Sequence, residues 1–369
     1  MTTAYSGDGI TFPDNSVQAT APRVGMVNRI INGDMRIDQR NAGAAVTANA
    51  SYPVDRWIVY SPAGSFSAQK STSIIPESHT NSLGFTVVSA GSPSGGQGAN
   101  LGQYIEGFNV SDLGWGSASA KTVTVSFWVR ASIAGTYCFA VQNNAVDRSY
   151  VSEYTVSSAN IWQQVNVTIA GDTTGTWLTT NGAGLKLWWD FNSGSDNSTG
   201  SADTWLAGGK KRTTNQTNLV GTSGATFYIT GVQLEKGSTA TDFEYVDYSR
   251  QLQMCQRYTT LIGNYSSSGG ISVANGSCNG GSAVWRARVP MQVPMRANPT
   301  VTFTNLVAGV PGSGTQTVTA IGATYMTASL NALELDFNTG GTVGSVGQTG
   351  SIFTNSGGSA SYLLVNAEL

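Results

Sequence analysis

The chain has 369 residues, of which 45 are glycine and only 11% are charged, while 40% are hydrophobic and 9% aromatic. So little charge, against a usual ~25%, excludes a long coiled coil and a charged disordered tail. With 19 Lys and Arg against 21 Asp and Glu, the net charge is −2, and no basic run exceeds Lys210-Lys211-Arg212. A nucleic-acid partner is therefore not expected, because nothing supplies the basic face that would neutralise phosphates.

In chain order, residues 1–22 are small and polar, with an isolated apolar set of Ile10, Phe12 and Val17. Alone they bury too little surface to fold, so they are expected to be an arm held by a partner. The opening MTTAYSGDGITFP has neither a basic nor an apolar signal region, and no run reaches the ~18 apolar residues of a membrane helix. Synthesis in a cytoplasm without a signal peptide, and no membrane insertion, are the expectations.

From residue 23 to 249 the dominant pattern is alternation of period two, broken by Gly, Asn, Ser and Thr clusters, which predicts short antiparallel strands. Val123, Val125, Phe127 and Val129 share one face of TVTVSFWVRA, with Trp128 and Arg130 on the other. Tyr137, Phe139 and Val141 alternate next, then Val165, Val167 and Ile169. In GLKLWWDFN the inward set is Leu185, Leu187, Trp189 and Phe191, which leaves Lys186, Trp188 and Asp190 outward. Strands of this kind pair into two face-to-face sheets. The fold class is all-β.

One short helix is predicted around QLQMCQRYTTLI, with Ser249 as its N-cap and Leu252 and Cys255 on its buried face. It coincides with a change of composition, since of nine tryptophans only Trp285 follows it. A boundary near 250 follows. Residues 250–369 then read as a second, smaller β-sandwich with Gly-rich turns and a thin core, of a kind often completed by oligomer contacts.

Few residues suit catalysis. Seven Glu and fourteen Asp show no spacing that singles out a glycosidase pair, and Glu235 and Glu244 read as loop or strand-end residues. There is no GxSxG elbow, and the single histidine, His79, lies in the polar stretch PESHTNS. No enzyme activity and no cofactor are expected. Cys138, Cys255 and Cys278 have no CxxC spacing and read as free thiols. Asp190, Asn192, Ser195 and Asp196, or Asp34 and Asp38, could gather oxygen ligands, but neither set matches a calcium loop, and no metal is assigned.

Aromatic residues carry the stronger signal. An indole ring stacks on the apolar face of a sugar while neighbouring amides and charges bond its hydroxyls. Trp128 with Arg130, and Trp188 with Lys186 and Asp190, are the candidate glycan-binding residues. Each outward tryptophan could equally be covered by a loop, by the arm or by a neighbouring copy. Trp115, Trp177 and Trp205 lie in Gly/Ser/Thr-rich loops, where so large an apolar side chain is unusual.

Several segments resemble a known family. GDGITFPDNSVQATA (7–21) resembles the N-terminal element of bacteriophage tail-fibre and related virion proteins, and NRIINGDMRIDQRNAG (28–43) with YPVDRW (52–57) the opening of their β-sandwich. SFWVRAS (126–132) and WQQVNVTIAG are similar to jelly-roll carbohydrate-binding modules. ITGVQLEKGSTATDFEYVDYSRQLQMCQRY (229–258) resembles the sandwich's end and helical exit, and MQVPMRANPTV (291–301) and YLLVNAEL (362–369) the matching C-terminal domain. The resemblance implies a jelly-roll domain in a homotrimeric virion protein, a short tail fibre or adhesin that binds a host surface glycan. Residues 1–22, through Ile10, Phe12 and Val17, would attach it to other virion proteins of tail or capsid, and 250–369 would support trimerisation. A head fibre or decoration protein without receptor binding, and a stand-alone carbohydrate-binding module, are the alternatives. The shaft repeats of a full-length fibre are not present.

Overall fold

The computed structural model describes residues 26–264, 270–279, 283–310, 312–326, 330–355 and 360–369, apart from the side chains at 264, 323, 325 and 326, and only the backbone of 4–6, 9–11 and 17–18. Ile10, Phe12 and Val17, expected to attach the chain to a virion, lie outside the described residues, the first and last in their side chains.

Two antiparallel sheets face each other. One has seven strands, in the order Trp205–Ala207, Arg148–Val156, Gly135–Gln142, Ala183–Asp190, Asn100–Glu106, Trp57–Tyr60 and Ser51–Val54. The other has five, in the order Gln163–Ile169, Val123–Ala131, Thr226–Lys236, Ser82–Ser89 and Ser65–Ser71. Three hairpins, Ser51–Val54 with Trp57–Tyr60, Ser65–Ser71 with Ser82–Ser89 and Gly135–Gln142 with Arg148–Val156, stay within one sheet, and between them the chain passes repeatedly from sheet to sheet, as in a jelly roll. Alternation sets the core: Val123, Val125, Phe127 and Val129 from one sheet and Leu185, Leu187 and Trp189 from the other are buried in a single cluster. Ring pairs cross between the layers, with Phe127 edge-on to Trp189 at 5.4 Å and Phe85 against Phe191 at 4.6 Å. At roughly 25 cal/mol per Å² of apolar area, rings of this size dominate the burial energy.

The three tryptophans expected in loops are structural, and one of them, Trp205, opens the edge strand Trp205–Ala207 instead. Trp115, Trp177 and Trp205 form a triad of edge-to-face contacts at 4.9, 5.3 and 5.4 Å. Each indole N–H donates to a loop carbonyl, of Lys121, Thr174 and Ala170 in turn. They staple loops that lack an apolar run of their own.

The helix is Tyr248–Gln256. Its N-cap is Asp247, not Ser249: the Asp247 carboxylate accepts from the backbone N–H groups of Ser249 and Arg250. The carboxylate satisfies two amide donors at once, which displaces the serine from the capping position. The residues expected to prolong the helix form the strand Thr259–Asn264 instead.

Beyond the helix, Thr259–Asn264, Ser361–Asn366 and Thr300–Thr304 make a three-stranded sheet. Six further strands, Ser272–Asn279, Val284–Pro290, Ala332–Thr339, Thr315–Met326, Leu306–Gly309 and Thr349–Thr354, close into a barrel around Trp285, Leu335, Phe337 and Ile352. A second β unit is present as the pattern predicts, and it is a closed barrel with a flanking sheet rather than two open layers. Closure comes from pairing the first and sixth strands, which removes the exposed edges an open sheet would keep. The unit docks on the sandwich through Arg257, which donates to both Glu106 carboxylate oxygens at 2.9 and 2.6 Å, and through the Tyr258 hydroxyl on the same group at 2.7 Å.

Candidate functional site

The outer face of the seven-stranded sheet carries a second aromatic cluster. Trp188 projects there, on the face opposite Leu187 and Trp189, and the residues paired with it on either side are Ala140 and Gly102. Those small neighbours let the indole lie along the sheet. Tyr60 and Tyr104 meet it edge-on at 5.7 and 5.3 Å, and its Nε1–H donates to the Gln142 side-chain Oε1 at 2.8 Å. Above them opens a cleft of about 350 Å³ lined by Tyr60, Tyr104, Gln142, Lys186, Trp188 and Lys211, with Gly98 and Gly209 at its rim.

Both lysines lie against rings. The Lys211 ammonium sits 4.7 Å from the Trp188 ring centre and that of Lys186 5.4 Å from the Tyr104 ring centre. Lys186 donates one hydrogen bond, to the Asn144 carbonyl at 2.9 Å. Burial lowers the pKa of each below the ordinary lysine value; for Lys211 the carboxylate of Asp190 offsets part of that and Lys186 adds to it. Burial pushes the Tyr104 phenol upward, so it stays neutral.

The residues picked from alternation do not form one site. Lys186 and Trp188 share the cleft, but Trp188 is 3% exposed and its ring face is occupied by Lys211, so it supports the cleft wall and presents no open stacking surface. Asp190 does not point into the cleft as a free acid. It is fully buried at the strand end, where Oδ1 accepts from the N–H groups of Asn192 and Ser193 and Oδ2 from the Ser193 hydroxyl. Desolvation raises its pKa against these bonds. Trp128 and Arg130 stand on the outer face of the other sheet. Trp128 is half-buried with its ring 6.3 Å from that of His79, and Arg130 donates to the Asn160 carbonyl beside Tyr228. Two layers separate the pairs.

Tyr60, Tyr104, Gln142 and Lys211 were not singled out from sequence. Their strands and loops are far apart in the chain, and the one local signal was the glycine and alanine flanking Trp188 across the sheet. Glu235 and Glu244 are structural: Glu235 accepts from the Thr241 N–H and hydroxyl, and Glu244 from the Asn28 N–H. All three cysteines are free and buried, with burial pushing Cys138 up to about 11. Among the described residues no group of three or more His, Cys, Asp or Glu is placed to hold a metal, and no helix is long and apolar enough to cross a membrane.

A larger groove, about 690 Å³, runs over the barrel wall between Asn275, Ser277, Arg286, Arg288 and Ser351. No aromatic residue is among the described residues that line it, and Arg286 is bonded to Asp336 at 2.7 and 2.8 Å. The sandwich cleft combines ring surface with free cations and is the stronger candidate.

No protein-family model matches the chain, and no curated protein matches it. Similar solved structures include a putative sugar binding protein from Bacteroides thetaiotaomicron, at 15% identity over 57% of this chain and 100% of that one, TM-score 0.31. TmCBM61 in complex with β-1,4-galactotriose is 9% identical over 57% of this chain and 99% of that one, TM-score 0.29. The enzymatically active domain of tailspike protein 4 from bacteriophage CBA120 is 10% identical over 57% of this chain, TM-score 0.29; this chain spans only 22% of that domain. The jelly-roll assignment rests on the chain's own two sheets.

Proposed function

We propose that the chain is a non-catalytic, glycan-binding protein of a bacteriophage virion, a short homotrimeric fibre or adhesin. The observation that carries the binding part is the cleft of Tyr60, Tyr104, Gln142, Lys186 and Lys211 on the outer face of the sandwich. Its two half-buried phenol rings offer apolar surface to a pyranose, and its lysines and amide offer hydrogen bonds to hydroxyls, the combination that fixes a small polar ligand. The virion part is supported by the sequence resemblance of 7–43 and 229–258. Binding at one shallow cleft is weak, and three copies on one particle would strengthen it through effective concentration.

The test couples binding to native mass. Replacing Tyr60 and Tyr104 together with Ala should abolish binding to host cells and to arrayed host glycans while the unfolding transition stays cooperative. Light scattering should return about 115 kDa, three times 38.5 kDa. A monomer that still binds glycans would leave a stand-alone carbohydrate-binding module. A trimer that decorates particles without touching cells would leave a head fibre or decoration protein.

A further inference from the structure

The cleft is positively charged within a chain of net charge −2. No Asp or Glu is among the described residues that line it. Neither Lys186 nor Lys211 takes part in an ion pair among the described residues, where the pairs are made by Arg29, Arg36, Arg40, Arg56, Arg148, Lys236, Arg257 and Arg286. Two acids stand outside the lining but close to it, and Asp190 offsets part of the Lys211 charge. Asp190 lies beneath the floor with both oxygens bonded by its own loop. The Oδ2 of Asp196 stands beside the lining residue Gly96, 3.9 Å from where a Cβ there would be.

Two ammonium groups held together over aromatic rings repel each other and are partly stripped of water. If they served only to cover Trp188 and Tyr104, uncharged Met or Leu would do so without that desolvation cost. A Cβ on Gly98 would come within 2.7 Å of the Asn100 Nδ2 and 3.3 Å of the Lys211 Nζ, so the glycine leaves space for both side chains. We infer that the saccharide bound here carries an anionic substituent, a carboxylate, sulfate or phosphate, seated between Lys186 and Lys211, with its ring against Tyr60 and Tyr104. This rests on reading the cleft as the glycan site. A charge-assisted bond to each ammonium would supply both orientation and discrimination against neutral sugars.

The experiment uses the whole chain on an array of neutral, uronate-bearing, sulfated and phosphorylated oligosaccharides. The strongest hit is then titrated beside its neutral counterpart, carboxyl-reduced, desulfated or dephosphorylated as the hit requires, at low and high salt. Hits should fall in one anionic class, neutralisation should cost at least about tenfold in affinity, and added salt should weaken binding. Lys186→Met and Lys211→Met should each lose about tenfold towards the anionic ligand, and Lys211→Arg should keep most of it. Neutral sugars binding as tightly as anionic ones, or Lys→Met variants that fold and bind unchanged, would overturn the anionic inference and leave a neutral glycan site. Binding by no class at all would overturn the glycan reading, and this inference with it.

Discussion

Trp188 lies against the sheet because Gly102 stands opposite it. A Cβ at position 102 would come within 2.3 Å of the indole Cε3 and 2.3 Å of the Leu187 carbonyl oxygen, contacts that no rotation of the ring relieves together. Gly102→Ala should therefore destabilise the sandwich by about 1–3 kcal/mol, the usual range for overpacking a filled site. It should also shift the indole emission of the native protein as Trp188 is displaced towards water. A denaturant midpoint equal to wild type would mean that the ring is not seated as described. The alternation of GLKLWWDFN places Trp188 on the outer face correctly. What it cannot show is that Tyr60, Tyr104 and Lys211, from three other segments, close over that residue. A period-two pattern tells inside from outside on one strand but not what a distant loop lays on the outside. Asp190 shows the same limit: its parity is outward, yet the turn at Asn192 and Ser193 folds back to bury it.

At the level of elements, two of the segments that carry the family resemblance, 28–43 and 229–258, are joined in space. The Asn28 side chain accepts from the Ile30 and Leu234 N–H groups and donates to the Val232 carbonyl, Glu244 accepts from the Asn28 N–H, and Arg36 reaches the Val246 carbonyl. NRIING and GVQLEKG are thus two halves of one corner, which explains why both read as motifs, whereas barrel closure, decided by one long-range strand pairing, left no motif to read. A further latch ties the loop before Ser82–Ser89 to the segment leading into the helix. His79 packs 5.8 and 5.9 Å from the rings of Phe243 and Tyr245, and the Tyr245 hydroxyl donates to the Ser78 carbonyl. Gly231, at φ 59°, makes the space, since a Cβ there would sit 2.5 Å from the His79 Nε2. Burial lowers the His79 pKa, against smaller opposing effects of the Glu77 carbonyl and Asp34. The folded value lies below the unfolded one of about 6.5, so the latch's contribution is whole above that pH and is lost as pH falls through the folded pKa. Asp34 and Asp38, raised by burial, act in the opposite sense and are common to wild type and variant. Urea unfolding should show wild type losing more stability than His79→Gln on going from about pH 7.5 to 5.5. Parallel losses in the two proteins would remove His79 from the latch.

On the scale of the whole molecule, the sandwich and the barrel side meet at buried charge. Arg40 and Arg56 come from the sandwich side and Glu368 from beyond the strand Ser361–Asn366; their side chains are 9%, 2% and 5% exposed. Glu368 accepts from both guanidinium groups, Arg40 also faces Asp55 at 3.7 Å, and Arg56 lies 3.5 Å over the ring of Tyr258. Two cations and two anions balance. Arg296 adds hydrogen bonds to the carbonyls of Ala367 and Glu368 and, across the junction, to that of Asn181. The Glu368 pairs are not visible as spacing, because each arginine stands more than three hundred positions from Glu368 in sequence. Glu368→Gln keeps the shape of the side chain and removes one negative charge, leaving a buried net positive charge shared by Arg40 and Arg56. Removing one partner of a buried pair costs about 3–5 kcal/mol, far more than the pair contributes relative to an apolar replacement. That cost falls on the contact between the two units and spares the core of either. Calorimetry of the wild-type protein should accordingly show one unfolding transition, with the junction coupling sandwich to barrel, and Glu368→Gln should split it in two. Glu368→Met, together with Met at both Arg40 and Arg56 and Asn at Asp55, should restore a single transition, because that junction carries no stranded charge. A Glu368→Gln protein that melts in one step at the wild-type temperature would show that the charges are bystanders and that the strand pairing and apolar contacts around Tyr258 join the two units.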